Sequence, residues 1–149
     1  MKVGRLLVVA VLGVALLAGC ATTERQPTTA KEKSLYERLG GKEAITAVVD
    51  DFVGRVAADN RINSFFVTAD VPSFKMNLVN QICEASGGPC KYTGRDMKTT
   101  HRGMGITNAH FDALVGDLVA TLDKFKVPDK EKNELLSVLG PMRKDIVER

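Results

Sequence analysis

From Leu35 onward the apolar residues of this chain recur at every third or fourth position, and no stretch alternates with a period of two. That spacing puts apolar side chains along one stripe of a helix and argues against a sheet. Ser34 caps a short helix over 35–39, with Glu37 completing a capping box and Gly40-Gly41 ending it. A long helix over 42–58 follows, with Ile45, Val48, Val49, Phe52, Val53 and Val56 as its buried stripe. Pro72 is placed to open the next helix, which carries Phe74, Leu78, Ile82 and Ala85 on one face and stops at Gly87-Gly88-Pro89. A short helical piece over 96–102 lies in a loop-rich region. Thr107 caps a strong helix over 108–125, and Pro128 opens the last one, which Pro141 is expected to kink. The sequence predicts a small all-α domain whose two long C-terminal helices pack antiparallel.

The first part of the chain has another character. Thirteen uncharged residues, Leu6 to Ala18, follow Lys2 and Arg5 and run into Leu17-Ala18-Gly19-Cys20. Such a run is too short to span a bilayer and suits a secretory signal. Small residues before a cysteine resemble the cleavage point of a bacterial lipoprotein signal. The expected organisation is a signal over 1–19, a flexible tether over 20–33 and one domain over 34–149, with Cys20 carrying the lipid. An ordinary signal peptide with an incidental cysteine is the alternative. Ala21 stands where such lipoproteins carry Asp for inner-membrane retention, so the expected place is the outer membrane, facing the periplasm. Losing the signal removes Lys2 and Arg5 from a net charge of +3, and the remaining basic residues are mixed with acidic ones. No nucleic-acid footprint is present. Export makes a bond between Cys83 and Cys90 tenable, and closing so short a loop contributes about 2–3 kcal/mol. Two unpaired thiols are the other reading.

Chemistry concentrates in the stretch from Asp96 to Ile106. Its histidine, His101, sits in a weak helix, with Met97 at helical spacing and Met104 and Ile106 beyond. Two histidines in the whole chain exclude a multi-histidine metal site, but one imidazole is enough to ligate haem iron. Alone, such a residue is more often a surface or capped core histidine. The wider pattern is more specific. Leu35-Tyr36-Glu37-Arg38-Leu39-Gly40-Gly41, Phe65-Phe66, Gly87-Gly88-Pro89, Tyr92-Thr93-Gly94, Asp96-Met97, His101, Gly105-Ile106-Thr107 and His110-Phe111 follow one another in an order and spacing that resemble the group I truncated haemoglobins. The resemblance runs from Ser34 to Val147. It implies a two-over-two helical sandwich around haem b with one iron, His101 as proximal ligand, and Phe66 packed on the haem face. The implied pocket is Val53, Phe66, Phe74, Leu78, Ile82, Met97, Ile106 and Phe111. His110 is expected at the surface near a helix start.

On the ligand side the chain departs from the family. Val53 falls where a Tyr is usual, and Phe74 and Leu78 fall where a polar residue such as Gln is common. A bound dioxygen carries partial negative charge, and a hydrogen bond to it is worth about 1.5–3 kcal/mol. Its absence predicts fast oxygen release, whereas carbon monoxide and nitric oxide depend less on a donor. Asn77 and Gln81, one step round the helix, are the candidates for a hidden donor, with solvent exposure as their expected role. Lys75 and Lys98 are expected at the haem edge or in solvent, and Tyr92 and Thr100 near a propionate. The resulting expectation is a haem protein that binds diatomic gases (O2, NO, CO), anchored to the membrane by lipid in the cell envelope. It would serve nitric oxide handling or oxygen binding, with an external reductase if it turns over as a nitric oxide dioxygenase. A haem-less structural or interaction lipoprotein on the same scaffold, and a haem store or relay, are the competing readings.

Overall fold

The computed structural model describes residues 32–148. The expected signal, most of the tether and the lipid-bearing Cys20 lie outside the described residues. Their regular elements are helices, with no strand among the described residues: α1 Leu35–Arg38, α2 Gly41–Ala58, α3 Val71–Ala85, α4 Met97–His101, α5 Asn108–Lys124, α6 Asp129–Leu139 and α7 Arg143–Ile146. Short 3-10 turns at Asn63–Phe66 and Gly140–Met142 join α2 to α3 and α6 to α7.

The capping chemistry read from the sequence is present. The Ser34 hydroxyl accepts from the Glu37 N–H at 3.2 Å, and the Glu37 carboxylate accepts from the Ser34 N–H at 2.8 Å. Asp70 accepts from the Ser73 N–H at 2.9 Å, so α3 begins one residue ahead of Pro72. Pro141 does more than kink the last helix. It has no N–H to return to the Ser137 carbonyl, and the chain passes through a full 3-10 turn before α7.

Helix α2 is the centre of the domain and packs most extensively on α3 and α5. Its Val49 and Val56 are 1% exposed and meet Ile62, Val79, Ile82, Leu118 and Leu122 in one core. Polar clamps tie the periphery together. Arg38 reaches from α1 to Glu131 at 2.6 Å and Glu134 at 2.5 Å on α6. Asp51 of α2 accepts from Thr121 at 3.2 Å and pairs with Arg55 and Lys124. The two long C-terminal helices differ from expectation, because their closest packing is not with each other. Leu114, Val115 and Leu118 of α5 and Leu139 of α6 instead border a common cavity.

Cys83 and Cys90 are joined by a disulfide with Cα atoms 5.7 Å apart, across the C-terminal end of α3. The chain turns here through a tight junction. A Cβ on Gly88 would lie 2.5 Å from the Tyr36 ring and 2.7 Å from the Cys83 sulfur, so only glycine fits. Tyr36 is in turn pinned by its N–H to the Ser86 carbonyl at 2.8 Å and by its hydroxyl, which accepts from the Lys42 N–H at 3.0 Å.

Candidate functional site

The cavity has a volume of about 280 Å³ and lies between α3 on one side and α4 on the other, closed by α5 and the α6–α7 segment. His101 lines it. The five-residue helix that carries His101 starts because the Asp96 carboxylate accepts from the Thr99 N–H at 2.8 Å. The imidazole Nδ1 is 2.7 Å from the Met97 carbonyl. A carbonyl can only accept, so Nδ1 is the donor, and in the neutral ring the lone pair then lies on Nε2. Nothing among the described residues hydrogen-bonds Nε2. A neutral imidazole held by one nitrogen and open at the other is the arrangement a metal ligand needs.

Most of the residues expected around this histidine are brought together. Phe66, Phe74, Leu78, Ile82, Met97 and Phe111 all line the cavity. Phe66 and Phe74 pack with ring centroids 5.2 Å apart. Val53 and Ile106 do not reach its wall. Both are buried at 8% exposure, but Val53 belongs to the core around α2, and the Ile106 carbonyl accepts from the Glu148 N–H at 2.9 Å.

The ligand-side face is less apolar than expected. Asn77 and Gln81 line the cavity, as the hidden-donor alternative requires and against the solvent exposure expected of them. Positions 74, 77, 78, 81 and 82 follow the i, i+3, i+4, i+7, i+8 rule, so one face of α3 about 100° wide includes both amides. The Gln81 Nε2 donates to sulfurs alone, Met97 Sδ at 3.4 Å and Met142 Sδ at 3.6 Å. Thioethers are weak acceptors, and the amide is held toward the α4 side of the cavity.

One edge of the cavity is polar, with Tyr92, Arg95 and Thr100 in its wall. Tyr92 and Thr100 both donate to the Arg95 carbonyl, at 2.7 Å and 3.3 Å. Burial, with the nearby Asp96, pushes the Tyr92 phenol above its usual range, so it stays protonated at neutral pH. Lys75 is paired with Asp50 at 2.8 Å. Lys98 lines a second, smaller cavity of about 150 Å³ together with His101, Arg102 and Lys144. His110 caps α5: its Nδ1 accepts from the Thr107 N–H at 3.2 Å, and its ring meets Phe65 edge-on at 4.9 Å. It is therefore half-buried and structurally engaged, and it does not line the cavity.

An open imidazole nitrogen, flat aromatic and aliphatic walls and one polar edge suit a planar, largely apolar cofactor with a polar rim. Among the described residues no three of His, Cys, Asp and Glu converge, and of these residue types the cavity wall carries His101.

Comparison with known proteins agrees with this geometry. The group 1 truncated hemoglobin GlbN of Mycolicibacterium paratuberculosis is 38% identical over 117 residues, covering 78% of this chain and 86% of its own. The group 1 truncated hemoglobin of Tetrahymena pyriformis is 37% identical over 117 residues, 78% of this chain and 97% of its own. The crystal structure of the Tetrahymena pyriformis protein in its Fe(III) form superposes with a TM-score of 0.75 at 36% identity, covering 78% of this chain and all of that one. The 2/2 hemoglobin of a Synechococcus species, solved in the cyanomet state with covalently attached heme, superposes at 0.74 over the same shares. Residues 34–148 match the bacterial-like globin family, and the chain belongs to it, with the group 1 truncated hemoglobins as its relatives.

Proposed function

We propose that this chain is a haem-binding truncated globin that holds one haem b and takes up diatomic gases. One observation carries the reading: a single imidazole, protonated at Nδ1 and open at Nε2, on the wall of an otherwise largely apolar cavity. Haem, when bound, supplies an iron centre with a coordination position left for a small gas. The residues of the chain do the rest. His101 would hold the iron through its Nε2, and the Met97 carbonyl fixes the ring. Phe66 and Phe74 offer aromatic surface to a porphyrin face, and Tyr92, Arg95 and Thr100 give its carboxylate rim a polar edge. Phe74 and Leu78 offer no hydrogen bond to a gas molecule, and of the two amides on the same face, Asn77 and Gln81, the Gln81 amide is turned to the Met97 and Met142 sulfurs. Oxygen is therefore held briefly, and carbon monoxide and nitric oxide are held on more equal terms.

The N-terminal pattern supports a place for this activity. Lipid on Cys20 tethers the domain to the outer membrane on its periplasmic side, where it meets nitric oxide entering the cell. Turnover of nitric oxide draws electrons from a separate reductase. The visible spectrum of the purified protein tests the central reading: a firmly bound Soret band supports it, and its absence after hemin addition contradicts it. Cys20→Ala tests the tether, since the variant should leave the membrane fraction.

A further inference from the structure

The helix that carries His101 is short and packs chiefly on α7. It has five residues, none of them fully buried, and its start rests on the Asp96 cap. Its C-terminal end is held by a residue 47 positions further along the chain, Glu148. The loop after His101 passes through Gly103 at φ +79° and Gly105 at φ +65°, a backbone path that favours glycine. That path turns two N–H groups onto one carboxylate. Gly103 donates to Glu148 Oε1, and Gly105 donates to Glu148 Oε2 at 2.7 Å. The Glu148 N–H closes a third bond, to the Ile106 carbonyl at 2.9 Å.

The base of this clamp is itself anchored. Val147 donates to the Arg143 carbonyl at 2.8 Å, and the Arg143 guanidinium lies 4.3 Å over the Phe111 ring and donates to Asn108 at 2.9 Å. Helix α7 packs directly on α4. The C-terminal segment thus forms a strut from α5, through α7, to the loop that immediately follows the imidazole.

We infer that Glu148 is a positioning residue for His101: its carboxylate fixes the loop 103–106 and through it the reach of the imidazole Nε2 toward the haem proposed above. The inference rests on that haem reading. Hydrogen bonds to a charged acceptor are stronger than neutral ones, and both carboxylate oxygens are used. Without them the end of α4 would be free to tilt, and the hold of the imidazole on that haem would weaken.

The test uses hemin-loaded wild type, Glu148→Ala, Glu148→Gln and a control, Glu131→Gln, which weakens the α1–α6 ion pair far along the chain from His101. Two quantities are read: the rate of hemin loss to excess apomyoglobin, and the iron–histidine stretching band of the ferrous, unliganded protein. Glu148→Ala should lose hemin at least about tenfold faster, the value of one charged hydrogen bond at the low end of its range. Its iron–histidine band should shift down and broaden, with Glu148→Gln intermediate. Glu131→Gln should lower thermal stability and leave the band in place. If Glu148→Ala does not fold, Glu148→Gln carries the same comparison. Wild-type hemin loss and a wild-type band in both Glu148 variants overturn the inference alone. A wild-type protein that takes up no hemin overturns it together with the haem reading.

Discussion

Removing the Cys83–Cys90 bridge should destabilise the domain by an amount that follows from its loop length. The two cysteines are seven positions apart, and the chain-entropy relation for so short a loop gives roughly 2.5 kcal/mol at 25 °C. For a domain of this size that corresponds to a fall in Tm of about 10 °C. The double substitution Cys83→Ala, Cys90→Ala is the cleanest perturbation, because it leaves no buried thiol at a position that is 0% exposed. Some additional loss is expected from cavity formation at Cys83, which sits against Gly88 and Tyr36. Thermal melts followed by far-ultraviolet circular dichroism, with and without reductant, give the answer. Wild type under reductant should approach the double variant, and the double variant should ignore reductant. Equal melting of oxidised wild type and double variant would refute the reasoning, since it would mean that the bridge constrains the unfolded chain no more than the native turn does.

Three further outcomes follow from the geometry. Leu78→Gln places a donor on the cavity face of α3 and should slow oxygen dissociation from the ferrous protein by roughly 10–100-fold, as read by stopped-flow displacement with carbon monoxide. Hydrogen bonds from Lys124 hold Asp51 below the ordinary carboxylate range, as those from Arg38 do for Glu131 and from the Gly103 and Gly105 N–H groups for Glu148. A carboxylate depressed in the fold stabilises it fully above its unfolded value and loses that contribution as pH falls through the folded one, so Tm should drop steadily below the ordinary carboxylate range. Asp117 runs the other way: burial, with Asp59 nearby, pushes its carboxyl up, and its buried Oδ2 lacks a hydrogen-bond partner. Its contribution is present at low pH and lost as pH rises through its raised value, so Asp117→Asn should melt higher than wild type at neutral pH and show no such gain in acid.

Much of the fold was legible because it is written in local chemistry. The caps at Ser34 and Thr107, the glycine stops and the stripes of α2 and α5 each depend on residues within one turn or one helix. His101 stands out in the sequence through the order of motifs around it, which spans the whole domain, and the structure places it on the cavity wall. What escaped the sequence depends on neighbours distant in the chain. The face of α3 that includes Asn77 and Gln81 counts as cavity wall only because α4, α5 and α6 border the same cavity, and a single helix cannot report how wide its open face is. The same positions do satisfy the helical stripe rule when it is taken at full width, so a signal existed. Glu148 had none. It lies after the last helix, and its partners are 43 and 45 positions away. Val53 and Ile106 show the reverse error: each is apolar and buried, but apolar character alone does not separate a core residue from a pocket wall.

The measurement that bears most directly on the central claim is hemin titration of wild type and His101→Ala, followed in the ferric, ferrous and carbon monoxide forms. The account predicts one hemin per wild-type chain with a histidine-ligated spectrum, and in the alanine variant loss of that spectrum with restoration by added imidazole. Identical spectra and identical uptake in the two proteins would contradict it.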